Sequence, residues 1–204
     1  MPASTTVRRV NMTSPPKVRT SAYISFVPNA RERSARLELS GTFDLAGSAI
    51  VMRIIAGDLD DPHVRALLEH HVATARAETA PGSAHALDVE SLKTPDVSFW
   101  AAWDGDALLA VGALKRLSNA HGEVKSMHTA QARRRKGVGT AILLHIVDAA
   151  RAMGLSRLRL ETGSWPYFLP ARALYKRHGF VECPPFGDYV PDPNSVFMTL
   201  DLRK

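Results

Sequence analysis

Apolar residues along the chain follow the period of a strand in some segments and the period of a helix in others. In "SRLRLETG" apolar and polar residues alternate, with Leu158 and Leu160 on one face, which predicts a half-buried strand. From about residue 138 to residue 153 the apolar positions recur at helical spacing, which predicts a helix that ends at Gly154 in a left-handed conformation. The chain is therefore predicted to combine strands with helices.

Cap and turn residues divide much of the remaining chain into further elements. Asp61 and Pro62 are a typical helix start, an N-cap followed by proline, and Asp88 is expected to cap a second, short helix. The pair Asp104-Gly105 predicts a hairpin turn between two strands. The predicted order, β-α-α-β-β-β-α-β-α-β-β, indicates an α+β (mixed α/β) fold with one mixed sheet and helices on both faces.

The beginning of the chain follows neither period for long. Ser, Thr, Pro and Arg dominate "MPASTTVRRVNMTSPPKVRTSAY", so we expect residues 1–50 to be a mostly disordered N-terminal extension with one weak strand in "ARLELSG". Residues 51–204 are expected to form the folded domain. Met52 opens the first regular strand, so translation that starts at Met52 instead of Met1 is an open alternative.

Composition narrows the class of protein. The 204 residues are 45% hydrophobic, which is enough for one domain with a sizeable core. The single cysteine, Cys183, excludes an internal disulfide and fits a reducing compartment. No apolar run approaches the roughly 20 residues that span a bilayer, and no signal-peptide pattern is present. We therefore expect a cytoplasmic protein without a membrane partner.

The net charge of +6 is unevenly distributed. Residues 1–50 contain seven Lys and Arg against three acidic residues, so they carry +4 and the rest of the chain only +2. No nucleic-acid partner is therefore expected. A basic nucleic-acid-binding module, built from the N-terminal extension and the cations of "RRRK", stays open as an alternative function.

The densest positive charge, at residues 133–136, stands directly before Gly137, Gly139 and the predicted helix. The first N–H groups of a helix lack intrahelical partners, and the helix dipole favours an anion there. Glycine lets the backbone approach a phosphate closely, and Arg and Lys add charged donors. The segment therefore predicts an anion site, although its spacing fits neither a P-loop nor a dinucleotide fingerprint.

Residues 134–139, "RRKGVG", resemble the pyrophosphate loop of the GNAT family of N-acetyltransferases, Gln/Arg-x-x-Gly-x-Gly/Ala. Downstream, "ARALYKRHGF" resembles that family's Ala-x-x-Leu-Tyr-x-x-x-Gly-Phe segment, and the resemblance covers about residues 52–202. "HGEVKSM", "LETGS" and "DPNSVFM" resemble a bacterial subfamily of small acetyltransferases. The resemblance implies a central twisted mixed sheet, acetyl-CoA as cosubstrate and acetyl transfer to an amine.

The resemblance also implies which residues hold the cosubstrate. Two departures stand out: the family's Val-x-Pro is replaced by Met127-His128-Thr129, and "FLPARALY" lacks an Asn that often contacts the cofactor. No metal is expected, because His128 has no Cys or His partner at ligand spacing. The cofactor-binding candidates are Met127, His128, Thr129, Arg134, Arg135, Lys136, Gly137, Val138, Gly139, Thr140 and Tyr175.

For catalysis, the family resemblance implies that Tyr175 is a general acid for the departing thiolate. Glu123, with Glu161 as the second choice, is the candidate base for the attacking amine, because an amine must lose a proton before it attacks. Ordinary structural roles are the competing interpretation, namely a core tyrosine and strand glutamates paired with nearby cations.

The acceptor candidates are Lys125, Arg172 and Trp165. The two cations suit a carboxylate, so we expect a small amine that carries one. An exposed strand edge and core packing are the competing interpretations. A catalytically inactive acyl-CoA sensor is a further alternative function, and a homodimer is an open possibility.

Overall fold

In a computed structural model of the chain, the backbone is described for residues 7–9, 20–28, 35–45, 48–80 and 88–204, and the side chains for residues 52–80 and 88–204. The helices are α1 (Pro62–Ala77), α2 (Val138–Ala152) and α3 (Leu169–Arg177). The strands are β1 (Val7–Arg9), β2 (Thr20–Pro28), β3 (Ala35–Leu45), β4 (Ser48–Ala56), β5 (Val97–Asp104), β6 (Ala107–Arg116), β7 (His121–Thr129), β8 (Arg157–Gly163), β9 (Val181–Glu182) and β10 (Ser195–Asp201).

The strands form one sheet in the order β1-β2-β3-β4-β5-β6-β7-β8-β10-β9. Neighbouring strands pair antiparallel except β7 and β8, which run parallel and are connected through α2. A parallel pair needs such a crossover, whereas an antiparallel pair can be joined by a short turn, as β5 and β6 are. The predicted mixed sheet is therefore confirmed.

Helices cover both faces of this sheet, as predicted. Along β5, Trp100 and Ala102 belong to the core that α2 covers, whereas Phe99 and Ala101 belong to the core beneath α1. Successive side chains of a strand point to opposite faces, so one strand contributes to both cores. This burial on both faces explains the continuous apolar run in "VSFWAAW".

Both predicted N-cap residues, Asp61 and Asp88, accept the hydrogen bonds of a cap. Asp61 accepts hydrogen bonds from the N–H groups of His63 and Val64, at 2.8 and 3.1 Å, and starts α1. Asp88 accepts from Ser91 N–H at 2.8 Å, but the predicted short helix is only a 3-10 turn, Glu90–Leu92. One capped turn with few apolar positions does not extend into an α-helix.

The N-terminal segment differs from its prediction. Backbone strands β2 and β3 lie within residues 1–50, which were expected to be mostly disordered. Tyr, Ile, Phe and Val in "TSAYISFVP" favour a strand, a signal that the Ser- and Pro-rich composition obscured. The strand predicted in "ARLELSG" lies within β3, and β4 begins at Ser48, just before the predicted domain boundary. Residues 1–6, 10–19, 29–34 and 46–47 lie outside the described part of the chain.

No helix within the described residues combines the length and the apolar character that crossing a membrane requires.

Candidate active site

β7 and β8 lie side by side only at their beginnings. Their parallel pairing covers three register positions and ends where Glu123 lies opposite Arg159. Beyond that point the strands separate, and residues 124–129 and 161–163 line a cavity of about 860 Å³. We call it the central cavity. Its volume is in the range of small-molecule sites, roughly 300–1,000 Å³.

An irregularity in β7 shapes one wall of the central cavity. The register between β6 and β7 shifts between Val111 and Ala113, and on β7 Ser126 has a positive φ of 48°. A non-glycine residue at positive φ is costly, and such residues cluster at functional sites. The buried Ser126 hydroxyl lines the cavity and has no hydrogen-bond partner among the described residues. No sequence signal indicated this bulge.

Residues 134–139, the glycine loop, form the end of the connection between β7 and α2 and the first two residues of α2. Gly137 has φ 74° and caps α2 without a side-chain hydrogen bond. The first hydrogen bond of α2 runs from Ala141 N–H to the Gly137 carbonyl, so the N–H groups of residues 138–140 precede the helical ladder. Gly137, Gly139 and Thr140 line the central cavity. This helix end therefore suits a pyrophosphate.

The cations of this segment are not equivalent. Arg134 and Arg135 line the central cavity, whereas the exposed Lys136 does not. Arg134 donates to the Thr129 carbonyl at 3.4 Å and to the Tyr167 hydroxyl at 3.2 Å. Its guanidinium also lies 5.8 Å from the centre of the Tyr167 ring. Arg134 thus connects the end of β7 to the loop after β8 at the cavity wall, where its charge favours an anion.

Most of the predicted site residues meet at the central cavity. Five do not line it: Glu123, Lys136, Val138, Trp165 and Arg172. Val138 is 2% exposed and belongs to the core beneath α2. The predicted residues that do line it are Lys125, Met127, His128, Thr129, Arg134, Arg135, Gly137, Gly139, Thr140, Glu161 and Tyr175.

Tyr175 is buried on α3, and its ring packs 5.7 Å from that of Phe180. Burial raises the pKa of the Tyr175 hydroxyl above its usual value near 10, and the charge of Glu161 raises it further. The hydroxyl therefore keeps its proton across the physiological range. A protonated hydroxyl on the cavity wall can donate a proton to a leaving group, as the predicted role requires.

The two candidate bases occupy different environments. Glu161 lines the central cavity and accepts a hydrogen bond from the Ser195 hydroxyl at 2.7 Å. Glu123 is 4% exposed and lies behind the cavity wall. Of the two carboxylates, Glu161 therefore has the more direct access to a molecule in the cavity.

Glu123 belongs to a hydrogen-bonded triad with Lys125 and Tyr189. Lys125 Nζ lies 3.2 Å from Glu123 Oε1 and 2.7 Å from the Tyr189 hydroxyl. That hydroxyl donates to Glu123 Oε1 at 2.7 Å. Sequence analysis missed Tyr189, because it stands in the irregular loop between β9 and β10, where no periodicity indicates what a side chain contacts.

Two histidines form a further part of the cavity wall. His71 of α1 and His128 of β7 both line it, with ring centres 4.8 Å apart. Burial, followed by the nearby positive groups, lowers the pKa of His71 to about 4 and that of His128 to about 3. Both imidazoles are therefore neutral near pH 7. Within the described part of the chain they do not join a third metal-ligating side chain. Sequence analysis did not single out His71.

Trp165 and Arg172, predicted to bind the acceptor, lie outside the cavity lining. Trp165 is 44% exposed, and its indole N–H donates to Asn194 Oδ1 at 2.9 Å. Arg172 donates to the Ser164 carbonyl at 2.9 Å. Both side chains therefore brace the loop that follows β8, while the neighbouring Tyr167 lines the cavity.

Residues 64–180 match the model of the acetyltransferase (GNAT) family. The chain is 48% identical over 151 residues to an uncharacterized N-acetyltransferase, YsnE, of Bacillus subtilis, covering 74% of this chain and 100% of that protein. It is 41% identical over 121 residues to an IAA acetyltransferase of Azospirillum brasilense, covering 59% of this chain and 78% of that protein.

A solved structure has the same fold. A candidate acyl-CoA N-acyltransferase of Klebsiella pneumoniae is similar with a TM-score of 0.60 and 27% sequence identity. The match covers 73% of this chain and 96% of that chain.

Proposed function

The chain belongs to the acetyltransferase (GNAT) family and is an acyltransferase, and from this we propose its reaction. The enzyme transfers the acetyl group of acetyl-CoA to the primary amine of a small molecule that carries a carboxylate. Transfer occurs by direct attack of the amine on the thioester. The catalytic domain spans residues 51–204, and residues 1–50 are an N-terminal extension.

The observation that carries this proposal is the convergence of three groups on one cavity. Residues of the glycine loop, together with Tyr175 and Glu161, line the space between the separated strands. The loop offers an anion site, the tyrosine a proton and the glutamate a proton acceptor. Transfer of an acetyl group from a CoA thioester to an amine uses all three: the anion site for CoA, the proton for the sulfur and the proton acceptor for the amine.

The glycine loop is the proposed binding site of the CoA pyrophosphate. The N–H groups of residues 138–140 are directed out of the helix start, and Arg134 and Arg135 add positive charge. A Cβ placed at Gly139 would lie 3.4 Å from Thr129 Oγ1 and 3.5 Å from Leu174 Cδ2, so glycine keeps this wall open. The residues present therefore fit the cosubstrate.

The proposed chemistry moves three protons, two from the nitrogen and one to the sulfur. Acetyl-CoA supplies the acetyl group as a thioester. Glu161 accepts a proton from the acceptor ammonium, directly or through water, and Glu123 remains the alternative base. The nitrogen then forms a bond to the carbonyl carbon, and Tyr175 donates its proton to the sulfur as the carbon–sulfur bond breaks. The second proton of the nitrogen passes through water to the Tyr175 phenolate, which restores the hydroxyl. Backbone N–H groups of β7 near the Ser126 bulge are the proposed donors to the carbonyl oxygen.

The acceptor proposal rests on charge. Lys125 is a cation in the cavity wall and suits a carboxylate, whereas Glu161 suits an ammonium group. A relative that is 41% identical is named an IAA acetyltransferase, which supports a small organic acceptor. We further propose a cytoplasmic enzyme that needs no metal and does not act on nucleic acid or membrane. A homodimer is an open arrangement.

Thiol release from acetyl-CoA, measured over a panel of small amines with mass analysis of the products, tests the proposal. We expect thiol release that depends on the amine, with one acetylated amine formed for each thiol released. CoA binding without turnover on any amine would favour a sensor, and absence of both binding and turnover would reject the proposal.

A further inference from the structure

We propose that Tyr189 is a positioning residue that orients Lys125 toward the carboxylate of the acceptor and so determines the preference for carboxylate-bearing amines. This inference rests on the proposed function, in which Lys125 contacts the acceptor. Tyr189 itself does not line the central cavity and acts through Lys125, which does.

The direction of each hydrogen bond in the triad follows from its chemistry. A lysine ammonium can only donate, and a carboxylate can only accept. The Tyr189 hydroxyl therefore accepts from Lys125 Nζ at 2.7 Å and donates to Glu123 Oε1 at 2.7 Å. Both bonds are short and charge-assisted, so they hold the ammonium more firmly than neutral bonds would.

Burial explains why the ammonium needs this support. The side chains of Lys125 and Glu123 are only 8% and 5% exposed. A buried charge is costly unless it is paired and hydrogen-bonded. Lysine also has a long, flexible side chain whose ammonium adopts many positions when it is unsupported. Glu123 and Tyr189 each place an oxygen within hydrogen-bond distance of Nζ and so restrict where it lies.

Tyr189 is itself held in a fixed place. Its ring packs 5.2 Å from Phe186 and 5.4 Å from Phe197, and Lys125 Nζ lies 5.4 Å from the centre of the same ring. Burial and the charges of Glu123 and Glu161 raise the pKa of the Tyr189 hydroxyl, which stays protonated. The hydroxyl is thus within electrostatic reach of both carboxylates.

This arrangement implies two-point recognition of the acceptor. Glu161 and Lys125 both line the central cavity, beside neutral His71 and His128. On this proposal Glu161 is the partner of an ammonium group and Lys125 the partner of a carboxylate. The matching ligand class is a small zwitterion with a primary amine and a carboxylate. Tyr189 serves the second of these contacts and takes no part in breaking the thioester.

The test compares an amino acid that the enzyme accepts with the carboxamide of the same amino acid. For the wild-type enzyme we expect kcat/KM to be higher for the carboxylate form. In Tyr189→Phe, loss of one hydrogen bond to a charged group is expected to raise KM for the carboxylate roughly 10-fold or more. The kcat for the carboxylate and both constants for the carboxamide are expected to change by less than about threefold.

Phe197→Leu is the matched control, because it loosens the packing around the Tyr189 ring and leaves the hydroxyl in place. Because the hydroxyl remains, this variant should lower the ratio of kcat/KM for the carboxylate to kcat/KM for the carboxamide by clearly less than Tyr189→Phe does. A fall in the ratio for Phe197→Leu as large as that for Tyr189→Phe would overturn the inference. If Tyr189→Phe does not fold, Lys125→Gln takes its place. It must bring the ratio of kcat/KM for the amino acid to kcat/KM for its carboxamide close to one.

Failure of this inference is distinguishable from failure of the proposed function. If no amine is acetylated, both proposals fall. If amines are acetylated but the wild-type enzyme does not prefer the carboxylate, acetyl transfer stands, while the carboxylate-bearing acceptor and the positioning role of Tyr189 are overturned. If the wild-type enzyme prefers the carboxylate but Tyr189→Phe keeps the wild-type ratio, only the positioning role of Tyr189 is overturned.

Discussion

Substitution of Gly139 by alanine should separate cosubstrate binding from stability. Gly139 is the second residue of α2 and has no positive φ, so alanine fits the helical backbone. The added Cβ would lie 3.4 Å from Thr129 Oγ1 and 3.5 Å from Leu174 Cδ2, which are ordinary contacts. Alanine is favoured over glycine within a helix by about 0.5–1 kcal/mol. We therefore expect the free energy of unfolding to stay unchanged or to rise by up to about 1 kcal/mol.

The same methyl group would lie next to Thr129 and Leu174, which line the central cavity beside the proposed pyrophosphate site. Loss of one charge-assisted hydrogen bond is worth about 1.5–3 kcal/mol, which corresponds to a roughly 10- to 100-fold weaker affinity for CoA. Calorimetric titration with CoA and thermal unfolding without CoA measure the two effects on one protein sample.

Gly154→Ala is the control for Gly137→Ala. Both glycines have φ 74°, so alanine at either position should cost about 1–2 kcal/mol of unfolding free energy. Gly154 ends α2 and has no atom within 4 Å of an added Cβ, and it does not line the central cavity. Only Gly137→Ala should also weaken CoA binding. Equal CoA affinity of wild type, Gly139→Ala and Gly137→Ala would refute the assignment of the glycine loop.

The remaining predictions concern the proton transfers and pH. Tyr175→Phe should lower kcat by roughly 10²–10⁴-fold with little change in CoA affinity, since a general acid contributes about that much; an unchanged kcat in steady-state assays would remove its acid role. Glu161→Gln should lower kcat more than Glu123→Gln at neutral pH, because Glu161 lines the cavity; the reverse order would make Glu123 the base. Burial lowers the pKa of His71 to about 4 and that of His128 to about 3. At pH values between these and about 6.5, the unfolded chain therefore binds more protons than the folded chain. Unfolding free energy should therefore fall as pH drops from about 6.5 to about 4, and His128→Gln should flatten that slope in denaturant titrations; an equally steep slope in the variant would contradict the burial argument.

Local signals allowed much of the fold to be predicted. The Asp61 cap, the left-handed Gly154 and the alternation in "SRLRLETG" each depend on a few neighbouring residues, and the structure has α1, the end of α2 and β8 where they indicate. The glycine loop was found for the same reason. Its residues are contiguous in the sequence.

The acceptor side of the site could not be predicted in this way. At Ser126 the bulge interrupts the alternation of β7, so the face on which each later side chain lies cannot be counted from the sequence. Tyr189 reaches Glu123 across 66 residues of sequence, and His71 on helix α1 reaches His128 on strand β7. Such contacts depend on how whole elements pack, which periodicity does not report.

Transfer of acetyl from acetyl-CoA to an amine nitrogen is the central claim and can be measured directly. Incubation of the full chain with acetyl-CoA and a carboxylate-bearing amine, followed by mass spectrometry, should reveal the amide product in amounts that match the free CoA. Formation of free CoA without an acetylated amine, or no consumption of acetyl-CoA with any amine, would contradict the account.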